Sequence, residues 1–314
     1  MSNNKNLLLL EDFFGQDKLK KSLKTSIQSA KSRNDTLSHI LFYGPPGLGK
    51  TTLSKIVANE VGGNFKSIIA PVIKKASDII SVLISLEEND ILFIDEIHRL
   101  PIDIEEILYP AMQDFELNIT VGDSEGGNIE IININIPKFT LIGATTQIGK
   151  LSDPLFDRFK LKFPLELYSV NELKVIIKNL SEEFNLEIDD ISLEIIAKSS
   201  RKTPRIAIGI LEQLRDYAVV HYNNKITKDM ILNVYNEIGI DELGLTVVDL
   251  NFLNILYNNF DKKPVGINSI VKIINESKES LESKIEPYLL SLGFIDITSR
   301  GRIITDKGIK YLEK

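Results

Sequence analysis

Three clusters of residues in this chain have types and spacing that could do chemistry on a nucleoside triphosphate. The first is Gly44-Pro45-Pro46-Gly47-Leu48-Gly49-Lys50-Thr51, which fits G-x-x-x-x-G-K-[ST]. Glycines let a loop curl until several amide N–H groups face one point, and a following helix adds its positive end there. Lys50 is placed to reach the β- and γ-phosphates, and the Thr51 hydroxyl to hold Mg²⁺. The second cluster is Asp95-Glu96, where Asp95 is expected at the metal and Glu96 at the attacking water; a solvated acid pair opening a turn is the alternative. The third is Thr145-Thr146, whose hydroxyls could report the γ-phosphate without adding charge or could simply end a β-branched strand. Two arginines stand out beside these. Arg158 follows a proline turn, and Arg205 opens a helix at Thr203-Pro204-Arg205. Either could stabilise transition-state charge on a γ-phosphate, and either could equally be an ordinary salt-bridge residue.

Such groups need a scaffold that delivers them to one edge. His39 to Tyr43 reads as a short buried strand before the glycine loop, and apolar residues at helical spacing follow it. Asp90 to Ile94 and Phe139 to Ala144 are apolar strands that finish at the acids and at the threonines. Strands are expected at 39–43, 65–69, 90–94, 139–144 and 161–163, with helices near 16–32, 49–60, 76–85 and 103–114. Alternation of this kind predicts an α/β fold with an open, mainly parallel sheet. From 170 to about 238 the texture changes to helices alone, at 170–184, 189–199, 204–222 and 227–238, as in a small all-helical lid domain. Residues 239–245 contain two glycines and read as a linker. Helices at 247–260, 267–274 and 277–292, then two short strands around Ser299-Arg300-Gly301-Arg302, predict a C-terminal winged helix. The expected domains are 1–165, 166–240 and 241–314.

Composition bounds the function. The 314 residues are 43% hydrophobic and 26% charged, as in ordinary globular proteins. No apolar run approaches the roughly 20 residues of a membrane helix, and the N-terminal stretch is too short for a secretory signal, so a cytoplasmic protein with no membrane partner is expected. No Cys is present, and three His scattered at 39, 98 and 221 make a zinc centre improbable. A net charge of −7 argues against coating nucleic acid by bulk charge. Segment 242–314 is balanced, with ten Lys/Arg against ten Asp/Glu, so a local basic surface is compatible with DNA.

The order of these features resembles an AAA+ ATPase, and within that group the RuvB motors that drive branch migration of Holliday junctions. The resemblance covers nearly the whole chain. It rests on Phe14-Gly15-Gln16, Tyr43 to Leu53, Leu92 to Leu100, Glu105-Glu106-Ile107-Leu108-Tyr109-Pro110-Ala111-Met112, Leu141 to Thr146 and Thr203 to Ala207. The C-terminal part adds Pro264-Val265-Gly266, Glu286-Pro287-Tyr288-Leu289 and Arg300-Gly301-Arg302. The phosphate loop is shared by many ATPases; the tyrosine–proline helix together with the Arg-Gly-Arg wing is far narrower.

The resemblance implies ATP and Mg²⁺ as ligands, a homo-hexameric ring, and duplex DNA or a Holliday junction as substrate. It also implies a RuvA-like junction-binding partner and, indirectly, a RuvC-like resolvase. Residues 44–52, including Thr52, with Tyr168 and Arg205, become nucleotide contacts. Lys50, Asp95, Glu96 and Thr146 become the hydrolytic set, with Thr51 and Asp95 at the metal. Arg158 becomes a finger reaching a neighbouring subunit's site, and Arg300 and Arg302 become contacts to the DNA backbone. Segment 116–138 becomes a partner-docking hairpin with its tip at Asp123 to Asn128. The chain departs from the family pattern at Asn6-Leu7 near the base, at Gln147 after the threonines, at Phe156, and at Ile208-Gly209 in the lid. Two other readings compete: a clamp-loader-like or protein-remodelling AAA+ ATPase, against which the Arg-Gly-Arg wing argues, and a nucleotide-gated DNA-binding regulator without turnover, which has little need of Glu96.

Overall fold

The computed structural model describes residues 8–121, 130–259 and 263–313. Asn6-Leu7 and the hairpin tip at 123–128 lie outside them. Two compact units emerge, Met1–Tyr168 with Thr203–Arg205, and Ser169–Lys202 with Ile206–Lys314.

The first unit contains strands β1 (Ile40–Tyr43), β2 (Phe65–Ile69), β3 (Ile91–Asp95), β4 (Glu116–Val121), β5 (Glu130–Asn135), β6 (Thr140–Thr145) and β7 (Leu161–Pro164). Its helices are α1 (Asp17–Ser32), α2 (Lys50–Val61), α3 (Ala76–Ile84), α4 (Ile102–Gln113) and α5 (Asp153–Arg158). Five strands form one parallel sheet in the order β2-β3-β6-β1-β7. A parallel sheet covered on both faces needs continuously apolar strands, and all six residues of β6 are buried. Register fixes the functional edge. Tyr43 pairs with Thr145 and Ile94 with Gly143, so β1, β3 and β6 finish at one edge of the sheet. On one face α3 and α4 close over Leu41, Leu92, Leu141 and Phe159.

His39 ties three of these elements together. Its Nδ1 accepts from the Leu141 N–H at 2.8 Å, so the proton sits on Nε2 and is donated to the Met112 carbonyl at 2.8 Å. Burial holds its pKa down at about 4. Strands β4 and β5 make a separate antiparallel hairpin, with Glu116 opposite Asn135, anchored by the buried Leu117 at its base.

The second unit opens with α6 (Val170–Glu183), α7 (Asp190–Ser199), α8 (Pro204–His221, whose first two residues belong to the first unit) and α9 (Lys228–Ile238). Side-chain caps start three of them: Ser169 with Glu172, Asp189 and Thr227. The expectation of helices alone needs correction. Strands β8 (Glu187–Ile188) and β9 (Lys225–Ile226) pair in parallel between the helices; at two residues each they leave no periodicity to read.

Beyond them come α10 (Val247–Asn254), which continues into a π turn (Ile255–Asn259), and α11 (Ile267–Ile274). Next, α12 (Lys278–Ser280) runs through a second π turn (Leu281–Ile285) into α13 (Glu286–Leu292). The hairpin β10 (Ile295–Thr298) and β11 (Gly301–Ile304) follows, and then α14 (Asp306–Leu312), which the sequence reading lacks. Phe252, Leu256, Ile270, Leu281, Leu289 and Ile295 form the core of this part.

The segment 239–245 is no loose tether. Asp241 accepts from the Leu243 and Leu245 N–H groups and from the Tyr311 hydroxyl. Arg201 donates to the Gly244 carbonyl at 2.9 and 2.8 Å and to Asp249, and its guanidinium lies 4.7 Å above the Tyr288 ring.

Candidate active site and nucleic-acid interface

The glycine loop leaves β1 at Gly44, whose N–H donates to the Thr145 carbonyl at 3.2 Å, and enters α2 through Gly49. Backbone at Gly47 (φ 82°) and Gly49 (φ 94°) is left-handed, a conformation glycine adopts without Cβ strain. A Cβ on Gly47 would meet the Arg205 Cβ at 3.0 Å. Arg205 lies against the loop itself, its N–H donating to the Gly47 carbonyl at 3.2 Å. Lys50 is only 8% exposed. Its Nζ folds back onto the Gly44 and Pro45 carbonyls at 2.8 and 2.9 Å. Burial lowers the Lys50 pKa, nearby Glu96 and Asp95 oppose that shift, and Arg205 adds to it. The sequence-predicted Lys50, Asp95, Glu96 and Arg205 therefore share one electrostatic neighbourhood.

At the end of β3, Asp95 Oδ1 accepts from the Glu96 N–H at 3.0 Å. Glu96 has left-handed backbone (φ 49°), unusual for a residue with a side chain and concentrated at functional sites. The turn aims its carboxylate at β6. There Oε2 accepts from the Thr146 hydroxyl at 3.0 Å and lies 3.3 Å from His98 Nδ1. The same Nδ1 is 2.8 Å from the Thr145 hydroxyl, which also accepts from the Gln147 N–H at 3.0 Å. Thus Thr146 touches the acid directly, while Thr145 reaches it through His98. In the sequence His98 stands in the Leu92 to Leu100 motif and among three scattered histidines; its place two residues after Glu96 is the one signal that marks it for the site. Burial lowers its pKa, with Glu96 opposing and then Lys150 and Arg99 adding to the shift.

Around the loop, Phe13 lies close enough that a Cβ on Gly49 would meet its ring at 2.9 Å. The Gln16 side chain makes a two-way bridge to the Glu166 backbone, donating at 2.7 Å and accepting at 3.1 Å. Tyr168 is buried, and its hydroxyl donates to the Phe14 carbonyl at 3.0 Å. Residues 13–16 and 165–168 are thereby stitched together beside the phosphate loop.

Arg158 stands apart from this group. It sits at the C-terminal end of α5, three residues before β7 begins, and β7 starts opposite the start of β1. It is therefore at the sheet edge remote from the one where β1 delivers the phosphate loop. Its guanidinium stacks 3.9 Å from the Tyr109 ring centroid, and Nη1 donates to the Pro154 carbonyl at 2.7 Å.

The sequence reading treats Arg300 and Arg302 alike; the structure sets them apart. Arg300 is exposed in the turn between β10 and β11. Arg302 is in β11, where Glu286 takes its Nε at 2.6 Å and Nη2 at 3.0 Å, and Glu282 adds a contact at 3.3 Å. Gly301 between them (φ 130°) lets the strand close on residue 265, since a Cβ there would lie 2.2 Å from the Val265 carbonyl. Glu286, Gly301 and Arg302, all from the narrow motifs, thus hold the wing, whereas the Tyr288 hydroxyl donates to the Leu243 carbonyl.

This strand order, with a phosphate loop after β1 and paired acids closing β3, defines a P-loop ATPase domain of the AAA+ class, followed by a lid and a winged helix. Residues 7–165 match the model of the RuvB Holliday junction DNA helicase P-loop domain, 168–241 the RuvB AAA lid domain, and 242–313 the RuvB C-terminal winged-helix domain. The chain is 47% identical over 304 residues to the Holliday junction branch migration complex subunit RuvB of Rickettsia africae, covering 97% of this chain and 88% of that protein. The Helicobacter pylori (strain G27) protein of the same description is 47% identical over 299 residues, 95% and 88% of the two chains. A solved structure described as the Thermotoga maritima RuvB Holliday junction branch migration motor superposes with a TM-score of 0.86 at 41% identity, covering 97% of each chain. The chain belongs to the RuvB family.

Proposed function

We propose that this chain is the ATP-hydrolysing subunit of a Holliday junction branch migration complex, working as a homo-hexameric ring on duplex DNA beside a RuvA-like partner. The observation that carries the hydrolytic half is the convergence of Lys50, Asp95, Glu96 and Thr146 at the edge where β1, β3 and β6 end. Lys50 exchanges its two loop carbonyls for phosphate oxygens. Glu96 accepts a hydrogen bond from the attacking water, with Thr146 and His98 holding the carboxylate in register. The Thr51 hydroxyl and the Asp95 carboxylate are hard oxygen donors on adjoining elements. They suit Mg²⁺, which takes few protein ligands and keeps several waters, and which when bound neutralises charge on the β- and γ-phosphates. Arg205 contacts the loop and senses its occupancy, and residues 13–16 with Tyr168 frame the base.

Arg158 is a finger supplied to the neighbouring subunit, because its own phosphate loop lies at the other edge of the sheet. In the wing, Arg300 meets DNA phosphates, and Arg302 holds the hairpin that presents it. The β4–β5 hairpin is the partner-docking element.

The test is ATP-dependent dissociation of a synthetic four-way junction with and without a RuvA-like protein. Wild type is expected to dissociate it in the presence of the partner. Glu96→Gln is expected to bind ATP yet lose hydrolysis by about 10² or more and to leave the junction intact. Full ATPase activity in that variant would remove Glu96 from the mechanism, and failure of wild type on every branched substrate would favour the protein-remodelling reading.

A further inference from the structure

A finger used by another subunit must keep its charge available and its direction fixed before the neighbour arrives. Arg158 shows how this chain does so. Among the described residues it makes no direct ion pair, although Asp103, Glu106 and Asp114 line the groove beside it. What holds it is the face of Tyr109, 3.9 Å below the guanidinium, and the single bond to the Pro154 carbonyl. Stacking of this kind fixes the plane of a guanidinium, and with Nη1 bound to Pro154 and Nε buried, Nη2 is the edge donor left for another partner. Its Nε is buried with no hydrogen-bond partner, so the stacked arrangement persists through the ring contact rather than through a saturated hydrogen-bond network.

Tyr109 is itself pinned. Its hydroxyl donates to Glu105 Oε2 at 3.3 Å and lies 3.5 Å from the Ser152 hydroxyl. Glu105 and Tyr109 are four apart on α4 and so share a helical face. Ser152 donates to the same Glu105 oxygen and also caps α5 by accepting from the Leu155 N–H at 3.3 Å. Glu105 is buried, and both hydroxyls meet its Oε2. One small network therefore sets the start of α5, which carries Arg158, and the ring on which Arg158 lies. An open groove of about 420 Å³ runs past Tyr109, Pro110 and Arg158, so the finger borders solvent rather than core.

We propose that Tyr109 is the positioning residue of the in-trans finger, its ring holding the Arg158 guanidinium outward toward a phosphate of the neighbouring subunit. This rests on the reading of Arg158 as a finger given above.

The experiment compares Tyr109→Phe, Tyr109→Leu and Tyr109→Ala in assembled rings. Tyr109→Phe keeps the π face and is expected to stay within about two-fold of wild-type kcat. Tyr109→Leu keeps apolar volume without the face, and with Tyr109→Ala is expected to lose about ten-fold in kcat at unchanged KM for ATP, a size set by a contact of the cation–π kind. The defect must reside in the subunit that gives the finger. Tyr109→Leu subunits mixed with Lys50→Ala subunits, which keep an intact finger, are expected to recover activity as Arg158→Ala subunits do in the same mixture. Tyr109→Leu added to Arg158→Ala is expected to cost nothing further. If Arg158→Ala mixtures show no recovery in hybrid rings confirmed by mass, the finger reading itself fails. If they recover while Tyr109→Leu mixtures do not, or if the double variant loses more than Arg158→Ala alone, Tyr109 is only a structural residue and the proposal is overturned.

Discussion

Individual residues in this chain differ in how firmly they are held, and the Arg-Gly-Arg wing places two neighbours in opposite situations, Arg300 exposed and Arg302 paired. Arg302 is enclosed by Glu286 and Glu282, and its bond to Glu286 raises its already high pKa. Removing it leaves Glu286, which is 3% exposed, as an unpaired buried charge, a loss of about 3–5 kcal/mol in comparable cases. Arg302→Ala is thus expected to lower the melting temperature and to disturb the hairpin. Arg300→Ala is expected to leave melting unchanged, to weaken duplex binding similarly across sequences, and to reduce the salt slope by about 1. Calorimetry and salt-titrated binding measure the two separately. Equal effects on both readouts would mean that the two arginines do share one role. The resemblance assigns both to the DNA backbone, and the sequence does not show which of them a carboxylate two elements away pairs with. His98 was missed for a related reason: it is near Glu96 in the chain, but its partner Thr145 is 47 positions away.

Elements set the accuracy with which the chemistry is delivered, and here a histidine outside the site matters. His39 joins β1, β6 and α4 only as the neutral tautomer, because Nδ1 must accept from Leu141. Its folded pKa of about 4 lies below the ordinary value near 6.5. Between those values the unfolded chain binds the proton and the folded one does not, so the stabilisation is complete above pH 6.5 and is lost as pH falls toward 4. At pH 5 the imidazole is expected to cost about 2 kcal/mol of stability relative to pH 7. Urea unfolding of wild type and His39→Gln at both pH values isolates it. The wild-type advantage is expected to shrink on acidification, and a gap that is constant with pH would mean that His39 does not titrate in this window. The parallel sheet itself was legible because β1, the glycine loop and α2 are one contiguous segment whose pattern changes at Gly44 and Lys50. The strand pair β8–β9 and the helix α14 were not, since a two-residue strand has no period and α14 is a seven-residue helix behind a hairpin. Nor did the two glycines in 239–245 reveal a fixed turn; Gly244 is required by the close approach of the Ser199 carbonyl, which only folding creates.

At the scale of the whole molecule, the parallel sheet has two edges, and the chain has placed its phosphate loop at one and Arg158 at the other. No rotamer change carries Arg158 around the sheet, since β1 and β7 run side by side between the two positions. On the proposed reading of Arg158 as a finger, a lone subunit binds a nucleotide but lacks the cation that the known finger systems use for about 10³–10⁵ of their rate. Binding and turnover should separate on dilution. Affinity for a fluorescent ATP analogue is expected to be nearly independent of protein concentration, whereas ATP turnover per chain is expected to collapse as rings dissociate, in step with the mass measured by sedimentation. Arg158→Ala is expected to sediment like wild type yet to turn over at the monomer rate at every concentration. Turnover per chain that persists where sedimentation shows only monomer would mean that the catalytic site is complete within one subunit, and that the remote position of Arg158 serves something other than hydrolysis.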